Sequence, residues 1–319
     1  MNMSDNKPSI VFMGTPHFAA HILDYLISEQ YKVVGVVTVA DKAAGRGKKI
    51  QESAVKQIAT ANHIACLQPT NLKDPDFLTS LALLKADVFV VVAFRMLPET
   101  VWSMPKKGTF NLHASLLPQY RGAAPINWAL INGEKKTGVS TFFIDHKIDT
   151  GAIIDQEEVW IEDEETAGSL HDKLMVSGAK LVAKTLDLIH SGKHTITPQA
   201  VTEKLQEAPK IFKEDCKIDW KKPGLDIQNF IRGLSPYPAA WSHFHNQGDA
   251  LVIKIANAFF EEYIHEDKIN SLIKSKKELK VALPHGYIHL TEIQLPGKRM
   301  MKVKELLNGL SLEENAYIS

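Results

Sequence analysis

Two side chains able to handle a proton and to stabilise developing negative charge stand two residues apart in Phe110-Asn111-Leu112-His113-Ala114-Ser115-Leu116-Leu117-Pro118. The run 109–113 reads as a buried strand, so Asn111 and His113 point to one face. An amide and an imidazole converging at the end of such a strand, before a loop, can act as oxyanion donor and acid/base. Ligand sites of open α/β sheets lie at these carboxyl ends. The alternative is structural: Asn111 caps the loop, and His113 is a satisfied histidine.

Further on stands Asp149-Thr150-Gly151. The triplet is like that of aspartic proteases, but there is one copy, and the α/β context argues against that chemistry. Asp149 more plausibly pairs with a histidine, setting its tautomer and favouring its charged form. The alternative is a turn aspartate before glycine. Between the two segments lies Gln119-Tyr120-Arg121-Gly122-Ala123-Ala124-Pro125-Ile126. It reads as a stiff loop that can present backbone groups to a flat heterocycle, or as an ordinary connector. Asp41-Lys42-Ala43-Ala44-Gly45-Arg46-Gly47-Lys48-Lys49 holds four basic residues and two glycines. Such a loop can contact phosphates or simply be solvated. No His, Cys, Asp or Glu cluster has metal-ligand spacing, and His243 with His245 reads as a surface pair.

The elements that must position these residues alternate. Strands are expected at 10–13, 33–39, 65–67 and 87–93, with helices at 17–28, 51–61 and 75–84. That order predicts an α/β fold, a parallel sheet with helices on both faces. A strand at 109–113, a strand pair at 139–144 and 152–160 and a long amphipathic helix at 169–190 follow. Residues 191–213 lose helical periodicity and read as a linker between a domain at 1–190 and one at 214–319. The second domain has one helix at 223–234. Short strands at 240–244, 250–260, 279–283 and 287–295 then predict a small antiparallel barrel. The first turn, Met13-Gly14-Thr15-Pro16-His17-Phe18, lacks the G-x-G-x-x-G spacing of dinucleotide binding, which disfavours dehydrogenase chemistry.

Composition narrows the class. The 319 residues carry 37 basic and 37 acidic side chains, so any nucleic-acid contact must come from a local patch. Two cysteines, Cys66 and Cys216, exclude a disulfide scaffold and suit a reducing compartment. The polar start has no signal-peptide pattern, and no stretch reaches the ~18 apolar residues of a membrane span. A soluble cytoplasmic protein is expected.

Taken together, these segments resemble the methionyl-tRNA formyltransferase family over nearly the whole chain. The resemblance rests on Phe12-Met13-Gly14-Thr15-Pro16, Ala44-Gly45-Arg46-Gly47-Lys48-Lys49, Asn111 to Pro118, Tyr120 to Ile126, Asp149-Thr150-Gly151 and Ile218-Asp219-Trp220. It implies a Rossmann-like formyltransferase domain followed by a small β-barrel similar to an OB-fold, the latter binding tRNA. It further implies transfer of a formyl group from 10-formyltetrahydrofolate to the α-amino group of methionyl initiator tRNA, with no metal. By position, Asn111, His113 and Asp149 match the catalytic trio, and Ser115, Leu116, Leu117 and Pro118 the folate-contacting segment. Arg46, Lys48 and Lys49 match a loop entering the tRNA acceptor arm. Lys274, Lys276, Lys277, Lys280 and Lys298, Arg299, Lys302, Lys304 are local basic clusters for the same partner. A monomer is expected. The run Phe94-Arg95-Met96-Leu97-Pro98 is one residue shorter than the family commonly has beside the pterin pocket. Rival readings are a formyltransferase acting on a UDP-amino sugar, a folate hydrolase, and a non-catalytic binding module. The Gly-Arg-Gly-Lys-Lys loop argues against the first two and the trio against the third.

Overall fold

The computed structural model describes residues 7–44, 49–199 and 204–319. Its first elements are β1 (Ser9–Gly14), α1 (His17–Ser28), β2 (Lys32–Val37), β3 (Lys42–Ala44), β4 (Lys49–Gln51), α2 (Ala54–Ala61), β5 (Cys66–Leu67), α3 (Pro75–Leu83) and β6 (Val88–Val92). Then come α4 (Glu99–Trp102), β7 (Thr109–His113), β8 (Arg121–Gly122), α5 (Pro125–Ile131), β9 (Lys136–Phe143), β10 (Ile153–Trp160), α6 (Ala167–Ser191) and β11 (Glu207–Ala208). The last are α7 (Gly224–Leu234), β12 (Ala240–Asn246), β13 (Asp249–Glu262), β14 (Leu272–Lys274), β15 (Leu279–Leu283), β16 (Gly286–Gln294), β17 (Met301–Lys302), α8 (Val303–Leu306) and β18 (Tyr317–Ile318). The chain divides into two compact units. One holds the described parts of Met1–Gly122, Lys136–Trp160 and His171–Glu207, the other Ala123–Lys135, Ile161–Leu170 and Ala208–Ser319.

The first unit is built on a seven-stranded sheet in the order β10-β9-β7-β6-β1-β2-β5. Strands β5, β2, β1, β6 and β7 run parallel, as the alternation of strands and helices predicts. The sheet is nevertheless mixed, because β9 lies antiparallel between β7 and the edge strand β10. A hairpin needs no crossover helix, so the chain reverses directly from β9 to β10. Strand β6 is Val-Phe-Val-Val-Val and buried throughout, as a strand covered on both faces must be. On one face Val11, Met13, Phe89 and Val91 pack against Phe77 and Leu81 of α3 and Val101 of α4. On the other, α6 runs close over β7: a Cβ on Gly178 would meet Leu112 Cδ2 at 2.8 Å. Phe18 of α1 meets His171 of α6 edge-on at 5.2 Å between ring centroids, which places α1 with α6.

Local chemistry sets the helix starts. Ser53 Oγ accepts from the Lys56 N–H, so α2 begins at Ala54 rather than at 51. Asp74 caps α3, and Pro75 fills its first turn. The basic loop proves to have paired arms, β3 against β4. Arg46 and Lys48 lie outside the described residues, and Lys49 sits in β4. Beyond α6 the segment expected as a linker returns to the sheet, where Thr197 exchanges both backbone hydrogen bonds with Ile153 at 2.8 Å.

The second unit carries an antiparallel sheet in the order β14-β15-β16-β13-β12-β18, with β17 on β16. Ser271 bridges Tyr317, joining the two ends of that order and closing the sheet on itself as a barrel. Its core includes Ile218, Trp220, Ile231, Phe244, Ile255 and Ile288. The Ile218-Asp219-Trp220 motif is structural: Ile218 N–H donates to the Trp241 carbonyl at 2.9 Å, and Trp220 Nε1 donates to Ser242 Oγ at 2.8 Å. Gly224 opens α7 against Phe260, whose ring would lie 2.0 Å from an added Cβ.

Candidate active site

The site forms where β7 ends. Asn111 is in register with Val91 on β6, so it shares the face lined by Val11, Phe89 and Val91. His113 follows on the same face at the end of the strand. Among the described residues the Asn111 side chain makes no hydrogen bond, and it is half-buried rather than wrapped in core. An amide left this way at a strand end is available to a ligand. It does not cap the loop, so that alternative falls.

His113 is 6 % exposed. Its Nε2 lies 2.8 Å from the Tyr120 carbonyl. A carbonyl only accepts, so Nε2 carries the proton, and Nδ1 is the nitrogen that faces Asp149 Oδ2 at 3.8 Å. The separation exceeds a direct hydrogen bond but is well within strong electrostatic reach. The tautomer is therefore set by the Tyr120 carbonyl, and Asp149 supplies the charge. Tyr120 holds a left-handed backbone, φ 59°, as its carbonyl meets the imidazole.

Asp149 also has a left-handed backbone, φ 54°. Its Oδ2 accepts from the Gly122 N–H at 3.1 Å. The loop read as presenting backbone groups thus presents one to the carboxylate. Gly151 is required on steric grounds, because a Cβ there would sit 1.7 Å from the Phe143 carbonyl oxygen. The turn begins with Asp145, whose carboxylate accepts from Thr150 Oγ1 at 2.8 Å and from the Lys147 N–H at 2.9 Å.

Ser115 to Pro118 follow β7 directly. Ser115 is fully buried and donates to the Gln119 carbonyl at 2.6 Å. Its own carbonyl accepts from Ser140 Oγ at 2.6 Å, and that oxygen in turn accepts from the Leu117 N–H at 3.1 Å. Leu117 packs with Phe142 and Ile153. Leu116 and Pro118 are half-buried, and the Leu117–Pro118 peptide is cis. The neighbouring short run is held by Arg95, which donates to the Pro69 and Thr70 carbonyls and lies over the Phe94 ring.

The geometry brings Asn111, His113 and Asp149 to one end of the sheet with Ser115 to Pro118 beside them. Sequence reasoning missed the Tyr120 carbonyl, the Gly122 N–H and a further residue, Gln199, whose amide meets the Asp149 turn. Among the described residues no group of three or more His, Cys, Asp or Glu can hold a metal ion, and no helix is long and apolar enough to cross a membrane.

Two family models match the chain: formyl transferase over residues 8–186, and formyl transferase, C-terminal domain, over 210–311. A protein of Flavobacterium johnsoniae named methionyl-tRNA formyltransferase is 56 % identical over 98 % of this chain and 99 % of its own. One of the same name from Bacteroides fragilis is 52 % identical over 96 % of each. Among solved structures, an N-formyltransferase from Helicobacter canadensis, in complex with folinic acid and dTDP-3-aminofucose, aligns with a TM-score of 0.64. It shares 21 % identity over 88 % of this chain and 98 % of that one, a likeness of fold.

Proposed function

This chain belongs to the formyl transferase family, and we propose that it moves a formyl group from 10-formyltetrahydrofolate to the α-amino group of methionyl initiator tRNA. The product is N-formylmethionyl-tRNA for translation initiation. Near-full-length identity of 56 % to a protein named methionyl-tRNA formyltransferase is the observation that carries this substrate choice over an amino sugar.

The residues suit the reaction. An α-amine has an ordinary pKa of ~7.7–8.0, so a useful fraction is neutral at pH 7. As its nitrogen adds to the formyl carbon, the carbonyl oxygen gains negative charge. The Asn111 amide, unpartnered among the described residues, donates to that oxygen, a contribution of about 3 kcal/mol by analogy with other oxyanion donors. The nitrogen sheds a proton to His113 Nδ1 or to Asp149, directly or through a water. With 3.8 Å between them, the imidazolium that forms is stabilised by the carboxylate. The C–N bond to the folate then breaks, and its N10 takes up a proton. This sequence needs no metal or redox step.

Ser115, Leu116, Leu117 and Pro118 serve as the folate-facing segment, acting through shape because their polar groups are used internally at Ser115 and Leu117. Arg46, Lys48 and Lys49 contact the acceptor arm, and the closed barrel is the tRNA-binding domain. Both cysteines are unpaired, which suits a reducing cytoplasm. The deciding assay follows labelled formyl from 10-formyltetrahydrofolate into initiator methionyl-tRNA, elongator methionyl-tRNA and a UDP-amino sugar. Rapid labelling of the initiator tRNA alone supports the proposal. Labelling of the sugar, or free formate without an acceptor, overturns it.

A further inference from the structure

We propose that Gln199 is a positioning residue that holds Asp149 against His113; the inference rests on the reaction proposed above. The segment carrying it is anchored two residues earlier, where Thr197 pairs with Ile153 on β10. The Gln199 side chain then spans two loops of the site. Its Nε2 donates to the carbonyls of Asp149 at 2.9 Å and Gly151 at 2.8 Å. Its Oε1 accepts from Arg121 Nε at 3.0 Å and Nη2 at 2.6 Å.

The amide has one sensible orientation. A guanidinium only donates and a carbonyl only accepts, so flipping the amide would oppose like groups on both sides. Glutamine therefore matches this position where glutamate does not: a carboxylate suits Arg121 but cannot donate to the two carbonyls. The held atoms are the ones that matter. Asp149 stands in a left-handed backbone, a region that few residues with a Cβ adopt, and the Gln199 bond to its carbonyl fixes that peptide. Arg121 immediately precedes Gly122, whose N–H holds the Asp149 carboxylate. Both ends of the Gln199 amide thus converge on where that carboxylate sits. Gln199 hydrogen-bonds to neither His113 nor the Asp149 carboxylate, so it acts through the Asp149 backbone and Arg121.

Gln199→Glu and Gln199→Ala test this. An ångström of misplacement in a catalytic group lowers turnover by up to ~100-fold, so kcat is expected to fall about 10- to 100-fold. KM for folate and for tRNA should stay within about twofold of the parent. The discriminating measurement is a cycle with Asp149→Ala. If Gln199 acts through Asp149, the Gln199→Ala/Asp149→Ala double variant is no slower than Asp149→Ala alone. Multiplying losses overturn the inference, as does a Gln199→Glu enzyme with parental turnover, or loss of folded protein in both single variants. Crystal structures of the parent and Gln199→Ala read placement without any assay. Asp149 should shift away from His113 in the variant, and an unmoved carboxylate overturns the inference whatever acceptor the enzyme proves to use.

Discussion

At the scale of single residues, the division of labour follows from which groups are already satisfied. His113 and Asp149 are tied to the backbone through Tyr120 and Gly122, whereas the Asn111 amide is left unpaired among the described residues. Asn111→Ala should therefore leave the fold untouched and lower kcat by about 10²- to 10³-fold with little change in KM for tRNA, checked by steady-state formylation. Asp149→Asn keeps the shape and removes the charge, and a loss of no more than a few-fold would show that the charge beside His113 is dispensable. Residue types and a two-residue strand spacing make Asn111 and His113 legible from the chain itself, and a turn before glycine makes Asp149 so. Gln199 is illegible, because it stands in a stretch with no periodicity and its partners are about 50 and 78 positions away. The role of Tyr120 is hidden for another reason: its backbone carbonyl acts, and any residue type carries one.

At the scale of elements, the strand order is set by local pattern and the strand direction by connection. The apolar runs of β1, β2 and β6 and the helices between them specify parallel neighbours. The reversed direction of β9 depends on its pairing with β7 on one side and β10 on the other, which no local propensity encodes. The turn between β9 and β10 is where a steric rule becomes functional. In Gly151→Ala the new methyl meets the Phe143 carbonyl, so the backbone must move, at a cost of about 3 kcal/mol or more. Differential scanning calorimetry should show the midpoint lowered by roughly 6 °C or more, with turnover lost because Asp149 rides on the same turn. The junction of β1 with β6 carries a pH signature. Asp87 accepts from the Ser9 hydroxyl at 2.7 Å and from its N–H at 2.8 Å, and these bonds hold its carboxyl below the usual carboxylate range. A folded value below the unfolded one, ~3.9, means the stabilisation is complete above that value and is lost as pH falls through the folded one. Ser9→Ala should thus melt below the parent at pH 7. The gap should narrow under about pH 4, as thermal melts across pH would show.

For the molecule as a whole, closure of the barrel and the charge of the chain bear on how the proposed tRNA substrate would be met. The closing contact joins Ser271 to β18, a strand of two residues that is too short to be read from sequence. The formal net charge is zero, so there is no net attraction for a polyanion, and RNA binding would draw on local clusters. Arg46 stands between two glycines, in the segment joining the paired strands β3 and β4. Each phosphate neutralised by a side chain releases counterions, so one lost contact changes the salt dependence by a fixed step. In Arg46→Ala, the plot of log binding constant for tRNA against log salt should flatten by about 0.7–0.9, with folate binding unchanged. A parental slope with weakened binding would mean that Arg46 meets a base edge or the aminoacyl end instead of a phosphate. A loss of folate binding would place the loop over the donor. The same titration on Lys298→Ala asks whether the barrel's basic cluster shares the load. A flattening there, additive with that of Arg46, would show both units engaging one tRNA at once.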